Sequence, residues 1–323
     1  MSRVLADVWT WDMWLVDDGH EYHVFYLKAS RALGDPDRRH FYVTVGHAVS
    51  EDLREWREVR DALVASDAPA FDDYTTWTGS IVKDEQGLWR MFYTGTTREE
   101  NATVQRIGVA TSSDLYEWTK CDTEALNEAD PRWYEKFDGK NWPDEAWRDP
   151  WVFSHGGKWH MLITARANTG DVDNRGVIGY ATSQDLENWE VQPPLSEPGS
   201  GFGHLEVPEV ATIDGRHVLV FSSLHPELAQ HRRQAGEMGG VWVVETDSLT
   251  GPFDISKAIR LTDESLYAGR LFQDRDGNWW LFAFENYDEN GNFVGALSDP
   301  MPVGWGEDGN LRVLDRVFPG VND

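Results

Sequence analysis

The feature that most constrains the fold of this chain is a repeat of glycine turns. In each copy a glycine is followed by an aromatic or histidine residue and then by a run of large apolar residues. The five glycines are Gly19, Gly87, Gly157, Gly215 and Gly277, and they are spaced 68, 70, 58 and 62 residues apart. A turn signal that leads into a short aromatic and β-branched run is typical of a β-strand. The sequence therefore predicts five copies of one β-structural unit.

A second pattern follows the first three glycine turns. It is a Gly-to-Trp segment with a central Ser-x-Asp-Leu motif, and it occupies residues 46–56, 108–118 and 179–189. Serine and aspartate side chains hydrogen-bond to nearby backbone groups and so favour turns. We expect a strand to end at each motif and the tryptophan to fold back onto the core.

Five copies of about 60 to 70 residues account for residues 1–323, and each has room for four strands. Radial repetition of four-stranded sheets is the architecture of a β-propeller. We therefore predict an all-β chain that forms a single five-bladed β-propeller domain over residues 1–323. One short helix is expected at about residues 226–233.

Three acids precede the glycine turns of the first, third and fourth copies, by 7, 8 and 9 residues respectively. They are Asp12, Asp149 and Glu206. The first of them lies between two tryptophans in an apolar stretch, where an unpaired charge is costly. Similar spacing predicts that the three acids occupy the same position in three blades and meet at one mouth of the central channel.

Three carboxyl groups in one pocket suit the cleavage of a glycosidic bond. That reaction needs one protonated carboxyl group to act on the leaving oxygen and one ionised group to attack the sugar or activate water. Glu206 has the longer reach and apolar neighbours, which are expected to raise its pKa, so we assign it as general acid/base. We assign Asp12 as nucleophile. Asp149 follows Arg148, which is expected to keep it ionised as a stabiliser of the transition state.

Each assignment has a structural alternative. Asp12 could be a buried hydrogen-bonding residue, and Asp149 with Pro150 could form only a turn. Glu209, three residues after Glu206, is a competing candidate for the acid/base.

Composition limits the partners of the chain. There are 17 tryptophans, and indole faces commonly cover sugars, although we expect more than half of them to lie in the core. The formal charge is −27, with 56 acids and 29 bases, and this argues against a nucleic-acid partner. Only seven bases are lysine. This acidic, lysine-poor composition fits either a high-salt cytoplasm or a GC-rich genome. We expect a small carbohydrate as the ligand.

The remaining signals are weak. The single cysteine, Cys121, excludes an intramolecular disulfide. We find neither a signal peptide nor an apolar membrane-spanning segment, so the expected location is cytoplasmic with no membrane partner.

We expect no cofactor and no metal, because the histidines lack ligand spacing and acidic pairs are usually solvated. The scattered candidates are His20, His23, His204, His225, Asp17 with Asp18, and Asp72 with Asp73. The oligomeric state stays open.

The ordered set of motifs resembles the clan of five-bladed fructosyl-processing enzymes, glycoside hydrolase families 32 and 68. The stretch 11–14, Trp-Asp-Met-Trp, resembles the levansucrase-type nucleophile motif, and 77–80, Trp-Thr-Gly-Ser, resembles the clan's sugar-binding motif. Residues 148–150 match the Arg-Asp-Pro motif. Residues 206–208, Glu-Val-Pro, are similar to the invertase-type Glu-Cys-Pro acid/base motif, with Val207 in place of cysteine.

This resemblance implies a retaining β-fructofuranosidase that acts on sucrose or short β-fructosides, by hydrolysis or by fructosyl transfer. It also implies a fructosyl subsite formed by Trp11, Trp77, Thr78, Arg148 and Tyr267. Two alternatives stay open. One is an inverting family 43-type arabinofuranosidase or xylosidase, in which the carboxyl groups stand farther apart. The other is a sugar-binding propeller without catalysis.

Overall fold

The computed structural model describes residues 7–314, which form five antiparallel sheets. Blade 1 comprises β1 (Val8–Asp17), β2 (Tyr22–Ser30), β3 (Thr44–Ser50) and β4 (Arg57–Glu58). Blade 2 comprises β5 (Thr75–Lys83), β6 (Trp89–Thr96), β7 (Arg106–Ser112) and β8 (Thr119–Lys120). Blade 3 comprises β9 (Trp147–His155), β10 (Lys158–Arg166), β11 (Gly176–Ser183) and β12 (Trp189–Gln192). Blade 4 comprises β13 (Glu206–Ile213), β14 (Arg216–Ser223), β15 (Gly240–Thr246) and β16 (Ile259–Arg260).

Blade 5 differs slightly from the others. Its strands are β17 (Leu266–Gln273), β18 (Trp279–Tyr287), β19 (Phe293–Leu297), β20 (Met301–Trp305) and β21 (Leu311–Val313). Both β19 and β20 pair with β18, so together they take the place of one third strand. In the described chain every blade is therefore built from one contiguous segment, with its strands in sequence order.

The five glycine turns lie where the repeat predicts them, between the first and second strands of each blade. All five glycines have φ between +75° and +92°, a region that favours glycine because it has no Cβ. The Ser-x-Asp-Leu motifs also form the predicted turns. In the first of them Asp52 accepts hydrogen bonds from the Ser50 hydroxyl and from two backbone amides further along.

The five blades form a closed ring. Each first strand packs against the first strand of the next blade, and β17 packs against β1. The predicted all-β, five-bladed β-propeller is confirmed.

Helices are few and short in residues 7–314. The 3₁₀-helices span Arg31–Leu33, Pro36–Phe41, Val172–Asn174, His225–Glu227 and Ile255–Lys257, and the α-helix α1 spans Gln230–Gln234. The helix expected at about 226–233 is therefore present as two separate turns. No helix in this part of the chain has the length and apolar character needed to cross a bilayer.

The side chain of Arg270, on β17, closes the centre of the ring and is 1% exposed. Its guanidinium donates hydrogen bonds to the carbonyls of Met13, Gly79 and Pro208, at 3.2, 3.3 and 3.3 Å. It also lies 4.9 Å from the ring centroid of Trp151. These four partners belong to β1, β5, β13 and β9, so one side chain contacts the first strand of every other blade.

Most tryptophans serve the core, as predicted. Six are buried, and ten more pack against the four apolar clusters between the sheets. Trp142 stands apart from these clusters and lines a cavity instead.

Candidate active site

The first strand of every blade carries a β-bulge near one end of the channel, with one residue more than the strand it pairs with. The last paired residues before the bulges are Trp11, Trp77, Arg148, Glu206 and Tyr267. The residues that follow them are Asp12, Thr78, Asp149, Val207 and Ala268. Nine of these ten residues line one cavity of 710 Å³. The bulges therefore turn two consecutive residues of blades 1 to 4, and one residue of blade 5, toward a common space.

All eight site residues predicted from the sequence line this cavity. The prediction that the three acids are equivalent is wrong in one respect. Asp12 and Asp149 occupy the same bulge position, whereas Glu206 lies one residue earlier and corresponds to Trp11 and Arg148. The number of residues between each acid and its glycine turn does not show this offset, because the first strands differ in length between blades.

The backbone at four of the five bulges has a positive φ. φ is +26° at Asp12, +58° at Asp149, +53° at Val207 and +51° at Ala268. Such values are uncommon outside glycine and are most costly for a β-branched residue such as valine. Strain of this kind is often found at functional sites. At Val207 the strained backbone turns its amide toward Oδ2 of Asp149, at 3.2 Å.

Asp12 is enclosed by the channel. Its Oδ2 accepts a hydrogen bond from the Thr78 hydroxyl, across the boundary between blades 1 and 2. Burial and the nearby Asp149 raise the pKa of Asp12 to about 7, although the Thr78 hydrogen bond and Arg270 act in the opposite direction. The carboxyl group therefore changes its charge near neutral pH.

Asp149 is held by three donors. Oδ2 accepts hydrogen bonds from the Thr164 hydroxyl at 2.7 Å and from the Val207 amide, and it lies 3.7 Å from Nε of Arg148. As expected, Arg148 favours the ionised form of Asp149, but burial outweighs it and raises the pKa of this group. The reason is geometric: Nη2 of Arg148 is directed toward Glu206 and Nη1 toward Gln105 and Asp144.

Glu206 lies in a polar setting. Arg148 donates to its Oε1, and the hydroxyl of Tyr267 donates to its Oε2. Leu205 and Val207 do not make this setting apolar as expected, because residues of the two neighbouring blades reach both carboxyl oxygens. Both oxygens are instead fixed toward the cavity.

Glu209 does not compete for this place. It is 1% exposed, is absent from the cavity lining, and accepts hydrogen bonds from the backbone amide of Leu271. Its carboxylate also lies 3.7 Å from Arg270. Burial raises the pKa of Glu209 to about 8 despite that neighbour. Its role is structural, in the centre of the ring.

The cavity also contains functional side chains that sequence reasoning did not select. They are Arg39, Gln105, Trp142, Asp144, His204 and Glu227. Most come from segments between strands, where no repeat marks a position. Gln105 and Asp144 accept hydrogen bonds from Nη1 of Arg148, at 3.0 and 3.4 Å, and so orient its guanidinium. His204 lies two residues before Glu206, and this closeness to a predicted site residue is a signal that could have been used.

Three side chains in the cavity are close enough together to hold a cation: the ligand atoms of His204, Glu206 and Glu227 lie within 4.8 Å of one another. The guanidinium of Arg148 already lies among these three side chains. Its Nη2 donates to Glu206 Oε1 and lies 3.1 Å from His204 Nδ1. A guanidinium among the ligand atoms competes with any metal ion, so the group does not fit a metal site.

Comparison with known proteins identifies the family. A model described as the glycosyl hydrolases family 32 N-terminal domain matches residues 14–298. The chain belongs to glycosyl hydrolase family 32. The family 32 match contains six of the eight predicted site residues, and Trp11 and Asp12 lie just before it.

Two curated proteins are similar in sequence to most of this chain. A β-fructofuranosidase, insoluble isoenzyme, of Arabidopsis thaliana is 26% identical over 94% of this chain and 56% of its own length. A sucrose-6-phosphate hydrolase of Bacillus subtilis is 26% identical over 81% of this chain and 51% of its own. The chain thus spans about half the length of these relatives.

Solved structures share the fold. The inulosucrase of Halalkalicoccus jeotgali superimposes with a TM-score of 0.74 at 22% identity, covering 96% of this chain and 87% of that one. A levansucrase of Bacillus subtilis gives a TM-score of 0.73 at 15% identity, covering 96% and 86%. The family 32 chain therefore shares its propeller with these proteins.

Proposed function

We propose that this chain is a retaining β-fructofuranosidase that hydrolyses sucrose or short β-fructosides. The observation that carries the proposal is the convergence of Asp12, Asp149 and Glu206 on one cavity in a family 32 propeller. The names of its curated relatives, a β-fructofuranosidase and a sucrose-6-phosphate hydrolase, support the same substrate class.

In the first step Asp12 attacks the anomeric carbon of the fructosyl unit while the bond to the glycosidic oxygen breaks. Glu206 gives its proton to that oxygen, and the remaining sugar leaves as an alcohol. In the second step Glu206 takes a proton from water, the water oxygen bonds to the anomeric carbon, and the bond to Asp12 breaks. Each carboxyl group returns to its starting state, and the configuration is retained.

The other residues hold the substrate and the catalytic groups. Asp149 accepts hydrogen bonds from the sugar hydroxyls and stabilises the positive charge of the transition state. Arg148 and Tyr267 fix the carboxyl group of Glu206 where the leaving oxygen arrives. Trp11 and Trp77 line the cavity on either side of Asp12 and Thr78 and offer apolar faces to the ring.

The test is incubation with sucrose, with glucose and fructose measured separately. Equal amounts of the two sugars are expected from hydrolysis. An excess of glucose would indicate fructosyl transfer to a sugar acceptor, which the same covalent intermediate permits. Absence of glucose at every pH and salt concentration would overturn the proposal.

The stereochemical outcome distinguishes the family 43-type alternative. Proton NMR of the first product formed from a β-fructoside should show the β-anomer before mutarotation. The α-anomer as first product would mean inversion and would rule out Asp12 as a nucleophile. The family 32 match favours retention.

A further inference from the structure

Charge is distributed unevenly in the cavity. Of the described residues that line it, five are acids: Asp12, Asp144, Asp149, Glu206 and Glu227. The positively charged lining residues are Arg39 and Arg148, since burial lowers the pKa of His40 to about 3 and of His204 to about 4. Carboxyl groups therefore outnumber cationic groups in the lining, although burial raises the pKa of Asp12, Asp149 and Glu227.

The two arginines are not available to a leaving group. Arg148 is 8% exposed and already engaged with Gln105, Asp144 and Glu206. Arg39 lies 5.4 Å from the ring centroid of Trp11 and near Asp12, where the fructosyl unit is attacked.

The leaving sugar has to extend past Glu206, because this residue donates the proton to the oxygen that joins the two units. There it meets His204, Glu227 and Asp144. Oε1 of Glu227 lies 3.6 Å from Nδ1 of His204, and Oδ1 of Asp144 lies 3.9 Å from its Nε2. Oδ1 of Asp144 is buried and has no hydrogen-bond partner among the described residues.

We infer that Glu227 and Asp144 form a leaving-group subsite that selects a neutral sugar and rejects a phosphorylated one. The inference rests on the proposed fructosidase function and narrows it to sucrose over sucrose-6-phosphate. Carboxylates accept hydrogen bonds from sugar hydroxyls, whereas a phosphate group placed among them meets like charges at short range.

The experiment compares kcat/KM for sucrose and for sucrose-6-phosphate, whose phosphate is on the glucosyl unit. We expect a preference for sucrose of about 100-fold or more. Glu227→Gln and Asp144→Asn should each reduce the preference about tenfold, because each removes a carboxyl group that repels the phosphate when it is ionised. Glu51→Gln removes an exposed acid far from the cavity and should leave the preference unchanged.

Each outcome is decisive. Equal or faster cleavage of sucrose-6-phosphate would overturn the inference but keep the proposed function. Failure to cleave either substrate would overturn both. An unchanged preference in both variants would remove these two residues from the subsite. Inhibition of the unmodified protein by the products gives a second measurement that needs no variant: glucose should inhibit more strongly than glucose-6-phosphate.

Discussion

The hydroxyl of Thr78 donates a hydrogen bond to Oδ2 of Asp12 across the boundary between two blades. The two residues occupy equivalent bulge positions on β1 and β5. This bond favours the ionised form of Asp12, whose pKa burial raises to about 7. It therefore influences the pH range in which the proposed nucleophile carries a charge.

Replacement of Thr78 by valine should move the acid limb of the pH profile to higher pH. Asp12 attacks only when it is ionised, and loss of a hydrogen bond to the charged form raises its pKa further, by about one unit. The measurement is kcat/KM for sucrose against pH, which reports the free enzyme. Thr78→Ser keeps the hydroxyl and should keep the limb in place. An acid limb that is identical in all three proteins would contradict the assignment.

Asp12→Asn and Glu206→Gln should each reduce turnover of sucrose by about 1,000-fold or more, because each removes a group that forms or breaks a bond. Glu209→Gln should stay within about tenfold of the unmodified protein, since Glu209 faces the centre of the ring instead of the cavity. Initial rates at saturating substrate provide the comparison. Normal turnover in Asp12→Asn would show that Asp12 is not the nucleophile.

Glu209 should also make stability depend on pH. Its pKa of about 8 lies above the ordinary value of 4.5, so the folded protein retains a proton that the unfolded chain has lost. The stability from this group is fully present below pH 4.5 and is lost as pH rises through 8. Glu209→Gln imitates the protonated form. Urea unfolding between pH 5 and 9 should show a smaller decline in this variant, and parallel curves would count against the raised pKa.

Arg270→Met should lower the free energy of unfolding by about 3 kcal/mol or more, because three buried carbonyls lose their donor. Arg275→Met is a matched control. Arg275 is a partly exposed surface residue bonded to Asp17, and its loss should cost less than about 1 kcal/mol. Similar losses in the two variants, measured by chemical denaturation, would show that the central position of Arg270 has no special effect.

Salt should stabilise the protein. With a net charge of −27 the folded state repels itself, and ions screen this repulsion. The unfolding midpoint is expected to rise between about 0.1 and about 2 M KCl. An equally viscous glycerol solution serves as the uncharged comparison. A midpoint that does not respond to KCl would favour genome composition as the cause of the lysine-poor sequence.

The sequence predicts the fold well because the repeat is local. The positive φ of Gly19 and its four counterparts needs glycine whatever surrounds it, and the Ser-x-Asp-Leu turns are satisfied within a few residues. The repeat does not predict the third strand of blade 5. There β19 and β20 share one strand position, and only the pairing with β18 reveals it.

The site is predictable only in part. Residues on the first strands, such as Asp12 and Arg148, lie in short motifs that can be recognised in the sequence, and they line the cavity as predicted. The one-residue offset of Glu206 depends on where the β-bulges lie, and the spacing of motifs in the sequence does not show this. Glu227 follows β14 on a 3₁₀-helix whose position is set by packing, and its approach to His204 arises from the meeting of separate segments.

The contacts of Arg270 have a consequence for how the molecule comes apart. Repeat proteins whose units touch only their neighbours can lose those units one at a time. Here one guanidinium donates hydrogen bonds to the first strands of three other blades and contacts an aromatic ring on the first strand of the remaining one. Opening any blade therefore removes one partner of a group that all the blades share. The five blades are thereby linked through a common point, and they should unfold as a single cooperative unit instead of blade by blade.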